Sequence, residues 1–315
     1  MFTHTHSKFD GIDKLYSEKI LPQLLPLEAE RLAFWRSFKL YAPLLVLGIL
    51  SITAFVYLRT SHVGALIMGA LFSGSGVLGL YHLKSKNVRR GSKSILITAI
   101  SDHIGLAFQG KVAMATAFLE GLQQLKLISA RIDRSHFEDG FSGQFDGVDV
   151  KICEAKLERK VKSDKGDKWQ TVFRGSLIEM DFHREFLGTT IVLRDAGLFN
   201  SKRKGDMKRI GLASPKFEKI FEAYGTDQVE GRYLLTPIFM EKLMALEESV
   251  DGKKVRFAFS DGKLHVAVEH PNRFETTSLR QPITDASRVQ TVIDELEAVL
   301  SIISAVSKPE KKRYS

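Results

Sequence analysis

Two uncharged apolar runs lie almost end to end near the N-terminus, and no other feature limits the fold as much. Residues 40–58 and 63–82 contain no Asp, Glu, Lys or Arg. At about 1.5 Å per residue the first run makes a helix of about 28 Å, close to the roughly 30 Å of a bilayer's hydrocarbon core. The second run is similar in length. Pro43 falls in the first turn of the first run, where a missing N–H costs little. Only Arg59, Thr60, Ser61 and His62 separate the runs, so a two-helix transmembrane hairpin is expected over residues 40–83. A buried helical pair in a soluble protein is the competing reading, and two uncharged spans in succession speak against it.

The basic residues orient the hairpin. Arg31, Arg36 and Lys39 precede the first run, and Lys84, Lys86, Arg89, Arg90 and Lys93 follow the second. The positive-inside rule places both ends in the cytoplasm. Trp35, Tyr41, Tyr57 and Tyr81 fall where interfacial aromatics belong. The expected location is a bacterial inner membrane, with a multi-pass chain and both termini cytoplasmic. The first apolar run begins too deep in the chain for a secretory signal.

Charge by segment excludes a nucleic-acid role. The formal net charge is +9, but residues 84–93 alone carry +5 and the tail 308–315 carries +3. Residues 94–307 come to about −1. A nucleic-acid module concentrates basic charge on its folded surface, and here the excess lies beside the membrane and in the tail. The basic cluster is read first as a topology signal, and secondly as a contact for anionic lipid.

Ala65, Gly69 and Ser73 recur every four residues in the second run, a spacing that lets another helix approach closely. The first run, with Gly48 and Ser51, is the plainer partner, and a second copy of the chain in a homo-oligomer is the other. Gly74, Gly76 and Gly79 spell a dinucleotide-type glycine motif, but no strand precedes them and no acidic residue follows at the needed distance. No cofactor is expected. His4 and His6 are read as incidental rather than as metal ligands, and no metal is expected.

Ahead of the hairpin, residues 1–39 form a cytoplasmic arm. Phe9, Ile12, Leu15 and Tyr16 have helical spacing, Pro22 and Pro26 are expected to break the chain, and Leu27–Phe38 reads as helix. The arm's polar face carries acids, so packing on the following domain is expected rather than lying on the membrane.

After the hairpin, 84–136 reads as a basic juxtamembrane and helical segment, with apolar helices over 94–108 and 112–128 parted by Gly110. A cytoplasmic domain is expected over 137–307, ahead of the basic tail 308–315. Phe141–Ile152 reads as a short meander, with further strands over Trp169–Phe182 and Thr189–Leu193. Residues 158–168 read as an exposed hairpin loop, and 199–209 as a basic loop. Ser214-Pro215 opens a helix carrying Phe217, Ile220, Phe221 and Tyr224 to the core and ending at Gly225. Thr236-Pro237 opens another, with Phe239, Leu243 and Leu246 inward. Val255–Phe259 and Leu264–Val268 alternate around Asp261-Gly262, a hairpin signal. Asp285 caps a long helix whose stripe of Val289, Val292, Ile293, Leu296, Val299, Leu300 and Ile303 is read as core. The class expected is α+β, an antiparallel sheet covered by helices.

The order of short motifs resembles the bacterial family called domain of unknown function 3137. The matching residues are Ile20-Leu21-Pro22, Glu138-Asp139 with Gly143, Cys153-Glu154-Ala155, Phe173-Arg174-Gly175 leading to Asp181-Phe182, and Asp261-Gly262-Lys263-Leu264. The most specific stretch is Asp227–Pro237, where Gly231 stands in place of a small residue that is often alanine. The resemblance implies a membrane-anchored cytoplasmic domain with no assigned catalytic residue. It also suggests a LemA-type membrane protein as a partner.

No metalloprotease helix or nucleophile elbow is present. Asp181 and His183 share a strand face, which Glu179 and Glu185 make polar and solvated. Cys153 is read as a quiet strand cysteine. Asp227, Glu230 and Arg232 form the candidate interaction loop. The structural reading has Arg232 pairing with Asp227 or Glu230 to clamp two helices; the functional one has them bind a partner. Two functions follow: a membrane-tethered interaction or scaffold module, preferred, or a membrane-tethered enzyme of unrecognised type. A deep polar pocket at Asp227, Glu230 or His183 would favour the enzyme, and an apolar groove or an exposed strand edge the module.

Overall fold

The computed structural model describes residues 2–112, 116–162, 166–181, 185–195, 207–249, 254–270 and 279–307. The chain divides into two compact units. One comprises Met1–Thr3, Asp10–Ala99 and Glu275–Val292, and the other His4–Phe9, Ile100–Phe274 and Ile293–Ser315.

The first unit is built on two long helices. A short turn α1 (Ile12–Leu15) leads into α2 (Leu21–Thr60), and α3 (Val63–His103) follows directly. Pro22 and Pro26 do not break the chain as expected. Pro22 occupies the first turn of α2, where no N–H is required, and Pro26 is held inside the helix. An internal proline costs about 3 kcal/mol, offset here by packing along α2. Leu27 lies against Gly91, Leu45 against Gly76 and Thr53 against Gly69. Ascending positions on α2 thus meet descending positions on α3, so the two run antiparallel. Gly69 has to be small, because a Cβ there would overlap the Thr53 side chain.

One helical run, Ser7–Thr60, is long and apolar enough to cross a membrane by length and composition; the apolar stretch within α3 is the shorter Ile67–Gly79. Leu44, Leu47, Ile52, Phe55 and Leu58 of α2, with Ile67, Leu71 and Phe72 of α3, are all exposed. Below them Phe34, Val88, Leu279 and Ile283 form a small core, with Trp35, Phe38 and Tyr81 packed on it. Trp35 donates to the carbonyl of Leu279 at 2.8 Å. Arg31 is buried, pairs with Glu28 and donates to the same carbonyl at 3.0 Å. The basic cluster is no separate segment, since α3 runs through it unbroken to His103.

The second unit holds a sheet of nine described strands, every pairing antiparallel. The strands are β1 (Leu106–Lys111), β2 (Arg134–Phe145), β3 (Val148–Val161), β4 (Lys168–Asp181), β5 (Thr190–Arg194), β6 (Lys208–Ile210), β7 (Phe221–Gly225), β8 (Val255–Ser260) and β9 (Lys263–Glu269). Their spatial order is β1-β2-β3-β4-β9-β8-β5-β7-β6. The helices are α4 (Thr116–Gln124), α5 (Pro215–Glu218), α6 (Gln228–Leu234), α7 (Pro237–Ser249) and α8 (Ala286–Ser307), the last shared by both units. The α+β class and the antiparallel sheet are as expected.

Several elements differ from the expected ones. Residues 106–111 form the edge strand β1 rather than the end of a helix, its apolar residues pairing with β2 from Leu106↔Gly143 to Lys111↔Glu138. The expected meander is a long β2–β3 hairpin closed at Asp146-Gly147, so the domain begins before residue 137. The Ser214 cap is real, accepting the Phe217 N–H at 3.3 Å, but its helix lasts one turn. Phe221–Gly225 is instead the fully buried strand β7. Phe217 and Phe221 are four apart and both are buried, a spacing that suits helix and strand alike when both faces are covered. The Phe257/Val266 and Phe259/Leu264 pairs confirm the hairpin at Asp261-Gly262. Asp285 caps α8 through the Ser287 N–H at 2.9 Å, and the whole apolar stripe of α8 is buried.

Gly175, from the Phe173-Arg174-Gly175 motif, shows why a glycine is needed. Its φ is 154°, and a Cβ would run into the Val268 carbonyl of β9. One face of the sheet is covered by α4 and the turn after it: Leu122 of the helix and Leu127 and Ile128 beyond it pack on Cys153, Leu177, Ile191, Ala258 and Ala267.

Candidate functional site

The stretch Asp227–Pro237 is a helix, α6, and not a loop. Asp227 is its N-cap, with Oδ1 accepting the N–H of Val229 at 2.9 Å and of Glu230 at 2.8 Å. Glu230 is buried and aims its carboxylate backward at another segment. Its Oε1 accepts the Leu187 N–H at 2.8 Å and its Oε2 the Gly188 N–H at 2.9 Å. Arg232 pairs with neither acid. It donates to the Gly211 carbonyl at 3.4 Å and to Gln228 at 3.3 Å. The expected arginine clamp is therefore a carboxylate clamp, because backbone N–H groups need an acceptor where the chain enters β5.

That bolt fixes what stands outside it. Leu187 is 86% exposed, Val229 76% and Tyr233 65%, values that mark an apolar patch facing solvent. Val229 and Tyr233 are four apart and share one face of α6, and Ile238 at the start of α7 is also exposed. The charged residues singled out in the sequence thus hold the surface in place, and the apolar residues between them form it.

A second place was missed in the sequence. Across the face covered by α4, β3, β4 and β9 align Lys151, Glu179 and His265 in one row. Glu179 is not solvated as expected: its side chain is 12% exposed. It accepts from Lys263 Nζ at 2.9 Å, with Lys151 Nζ at 3.8 Å and His265 Nδ1 at 3.9 Å. Burial pushes the His265 imidazole below its ordinary value, with Glu179 opposing. Among the described residues, His265 Nδ1 is buried without a hydrogen-bond partner. The available signal was register: Glu179 and His265 fall on the same face as Leu177 and Ala267, where core residues belong.

Two cavities flank that row. One, of about 380 Å³, is lined by α4 and by Thr189, Ser260, Lys263 and His265. The other, of about 350 Å³, is lined by Val112, Phe118, Cys153 and Leu177. Neither lining contains Asp227 or Glu230, and His183 lies outside the described residues. Cys153 is buried, its thiol pushed up to about 12 by burial and by Glu154, so it is no nucleophile at neutral pH. Among the described residues no group of His, Cys, Asp and Glu could hold a metal ion.

In α3, Lys86 and Arg90 are exposed and Arg89 and Lys93 half-buried. The side chains of Lys84 and Ala65 lie outside the described ones. Gly69 faces Thr53, and Ser73 is buried.

Residues 171–308 match the family model described as protein of unknown function (DUF3137). This segment belongs to that family. The DUF3137 segment begins within β4 and takes in β5 to β9 and α5 to α8, so it contains both the α6 patch and the Glu179–His265 row. Among solved structures, the mycobacterial trehalose monomycolate transport factor A, TtfA, is similar at a TM-score of 0.33 and 15% identity, over 67% of this chain and 97% of that one. No curated protein matches the chain.

Proposed function

We propose that the chain is a membrane-anchored interaction module that presents the α6 patch to a protein partner. The observation that carries this reading is the pairing of a buried anchor with an exposed face. Glu230 ties Leu187 and Gly188 to α6, and Leu187, Val229 and Tyr233 then stand in solvent. Clustered exposed apolar residues mark interaction sites in soluble domains, and tyrosine is enriched where binding energy concentrates. The resemblance noted above names a LemA-type membrane protein as the first partner to test.

The anchor is a two-span hairpin of α2 and α3. Its support is the row of exposed leucine, isoleucine and phenylalanine side chains along both helices, a surface costly in water and ordinary in lipid. Lys86 and Arg90, exposed where α3 leaves its apolar stretch, lie where the cytoplasmic leaflet's anionic lipids would be, each basic residue contributing about 1 kcal/mol.

Crosslinking from membranes tests the module. Alanine at Asp227 or Glu230 would remove a helix cap or a buried bolt and confuse folding with binding. Val229→Asp and Tyr233→Asp are made on the exposed face instead. Loss of a specific crosslinked partner in these variants, with the sheet intact by circular dichroism, supports the reading. A partner retained at wild-type yield overturns it.

A further inference from the structure

We propose that the trough between α4 and the sheet is a binding site for a small neutral amphiphile, with its polar head at Thr226, Lys263 and His265 and its apolar body against Phe118 and Leu177. Three observations carry this. The two cavities lie on the same sheet face and share Phe118 and Glu179 as a common wall. Together they form a trough that is apolar at the β2–β3 end and polar at the β9–β8–β5 end. Their volumes of about 380 Å³ and 350 Å³ fall in the range of small-molecule sites, which are mainly apolar with a few placed polar groups.

The polar end is supplied with hydrogen-bonding groups, and charge balances over the trough as a whole. Lys263, Glu179 and Asp261 line the polar cavity, and Lys151, lining the other, stands 3.8 Å from the Glu179 carboxylate. A head that brought a net charge would leave that balance uncompensated in a half-buried place. A hydroxyl or amide head would not. Lys263 Nζ gives one described hydrogen bond, to Glu179, so ammonium protons remain to donate. Thr226 Oγ1 accepts the Thr189 N–H at 2.9 Å and keeps its own hydroxyl proton. His265 Nδ1, buried without a partner, is the group whose satisfaction a ligand would supply, since such atoms are otherwise paired.

Cys153 lines the apolar end but is buried with its thiol pushed up, so binding is read by isothermal titration calorimetry rather than by thiol labelling. Three probes are titrated into the full chain in phosphatidylcholine nanodiscs, with empty nanodiscs as the blank. These are hexyl β-glucoside, heptanoate (the same hexyl tail with an anionic head) and glucose (the head alone). The expected result is saturable binding of hexyl glucoside above the blank and no binding of the other two. His265→Leu and Thr226→Val are each expected to raise the dissociation constant about tenfold, the effect of one lost hydrogen bond. Circular dichroism checks that each variant is folded, and either folded variant suffices. Equal binding of heptanoate would overturn the neutral head. No binding of hexyl glucoside above the blank, or an affinity unchanged in a folded variant, would overturn the site. The outcome is independent of the α6 patch, so this proposal and the interaction module fail or stand separately.

Discussion

The carboxylate of Glu230 reaches from α6 to hold the backbone of Leu187, the residue 86% exposed beside it. A buried charge thereby sets the position of an exposed apolar side chain. Glu230→Gln keeps the shape and one acceptor oxygen but loses the charge. It is expected to cost about 1.5–3 kcal/mol in chemical denaturation, the worth of hydrogen bonds to a charged group. Hydrogen exchange should speed up at the Leu187 and Gly188 amides in particular. Unchanged protection there would mean that the carboxylate does not hold the segment.

Gly231 lies on the buried side of α6, and a Cβ there would collide with Cδ1 of Ile210. Gly231→Ala is therefore expected to lose about 1–3 kcal/mol through overpacking, against the gain of about 1 kcal/mol that alanine brings to a helix. Ile210→Val removes the colliding methyl. In that background Gly231→Ala should become neutral or stabilising. A thermal-melt double-mutant cycle measures the change of sign, and additive effects would show that the two residues do not meet.

His265 gives the second unit a pH dependence of known sign. Burial lowers its folded value, with Glu179 opposing and Lys263 assisting. The unfolded chain therefore takes the proton first as pH falls. The stabilising share of neutral His265 is complete above about pH 6.5 and is lost as pH drops toward the lower folded value. Melting temperatures between pH 8 and 5.5 should fall more steeply for the wild type than for His265→Gln. Parallel curves would place the titration elsewhere.

How far the sequence could be read depended on whether a segment's neighbours were local. Asp261-Gly262 and the alternation around it specify β8–β9 unaided, and Asp285 with the α8 stripe specifies that helix, because each signal is complete within a few residues. β7 was read as helix because a strand buried on both faces loses the period of two that distinguishes it, and β1 because this mostly exposed edge strand carries no apolar alternation of its own. Their character comes from partners distant in the chain, Gly143 for Leu106 and Thr190 for Gly225. The candidate site follows the same rule. Asp227, Glu230 and Arg232 stood out as charges in an unusual place; Asp227 caps its own helix, yet the roles of Glu230 and Arg232 were set by Leu187, Gly188 and Gly211, which no local pattern connects to them. Glu179 and His265 looked like ordinary polar strand residues until register placed them beside Leu177 and Ala267.

Thiol mapping in intact cells tests the membrane-anchored account most directly. In a Cys153→Ser chain, single substitutions Ser61→Cys, Arg90→Cys and Tyr233→Cys are treated with a membrane-impermeant maleimide before and after permeabilisation. The account predicts that Ser61→Cys is labelled in intact cells, and that Arg90→Cys and Tyr233→Cys are labelled only once the membrane is opened. Labelling of positions 61 and 90 from the same side, or recovery of the whole chain in the soluble fraction, would contradict it.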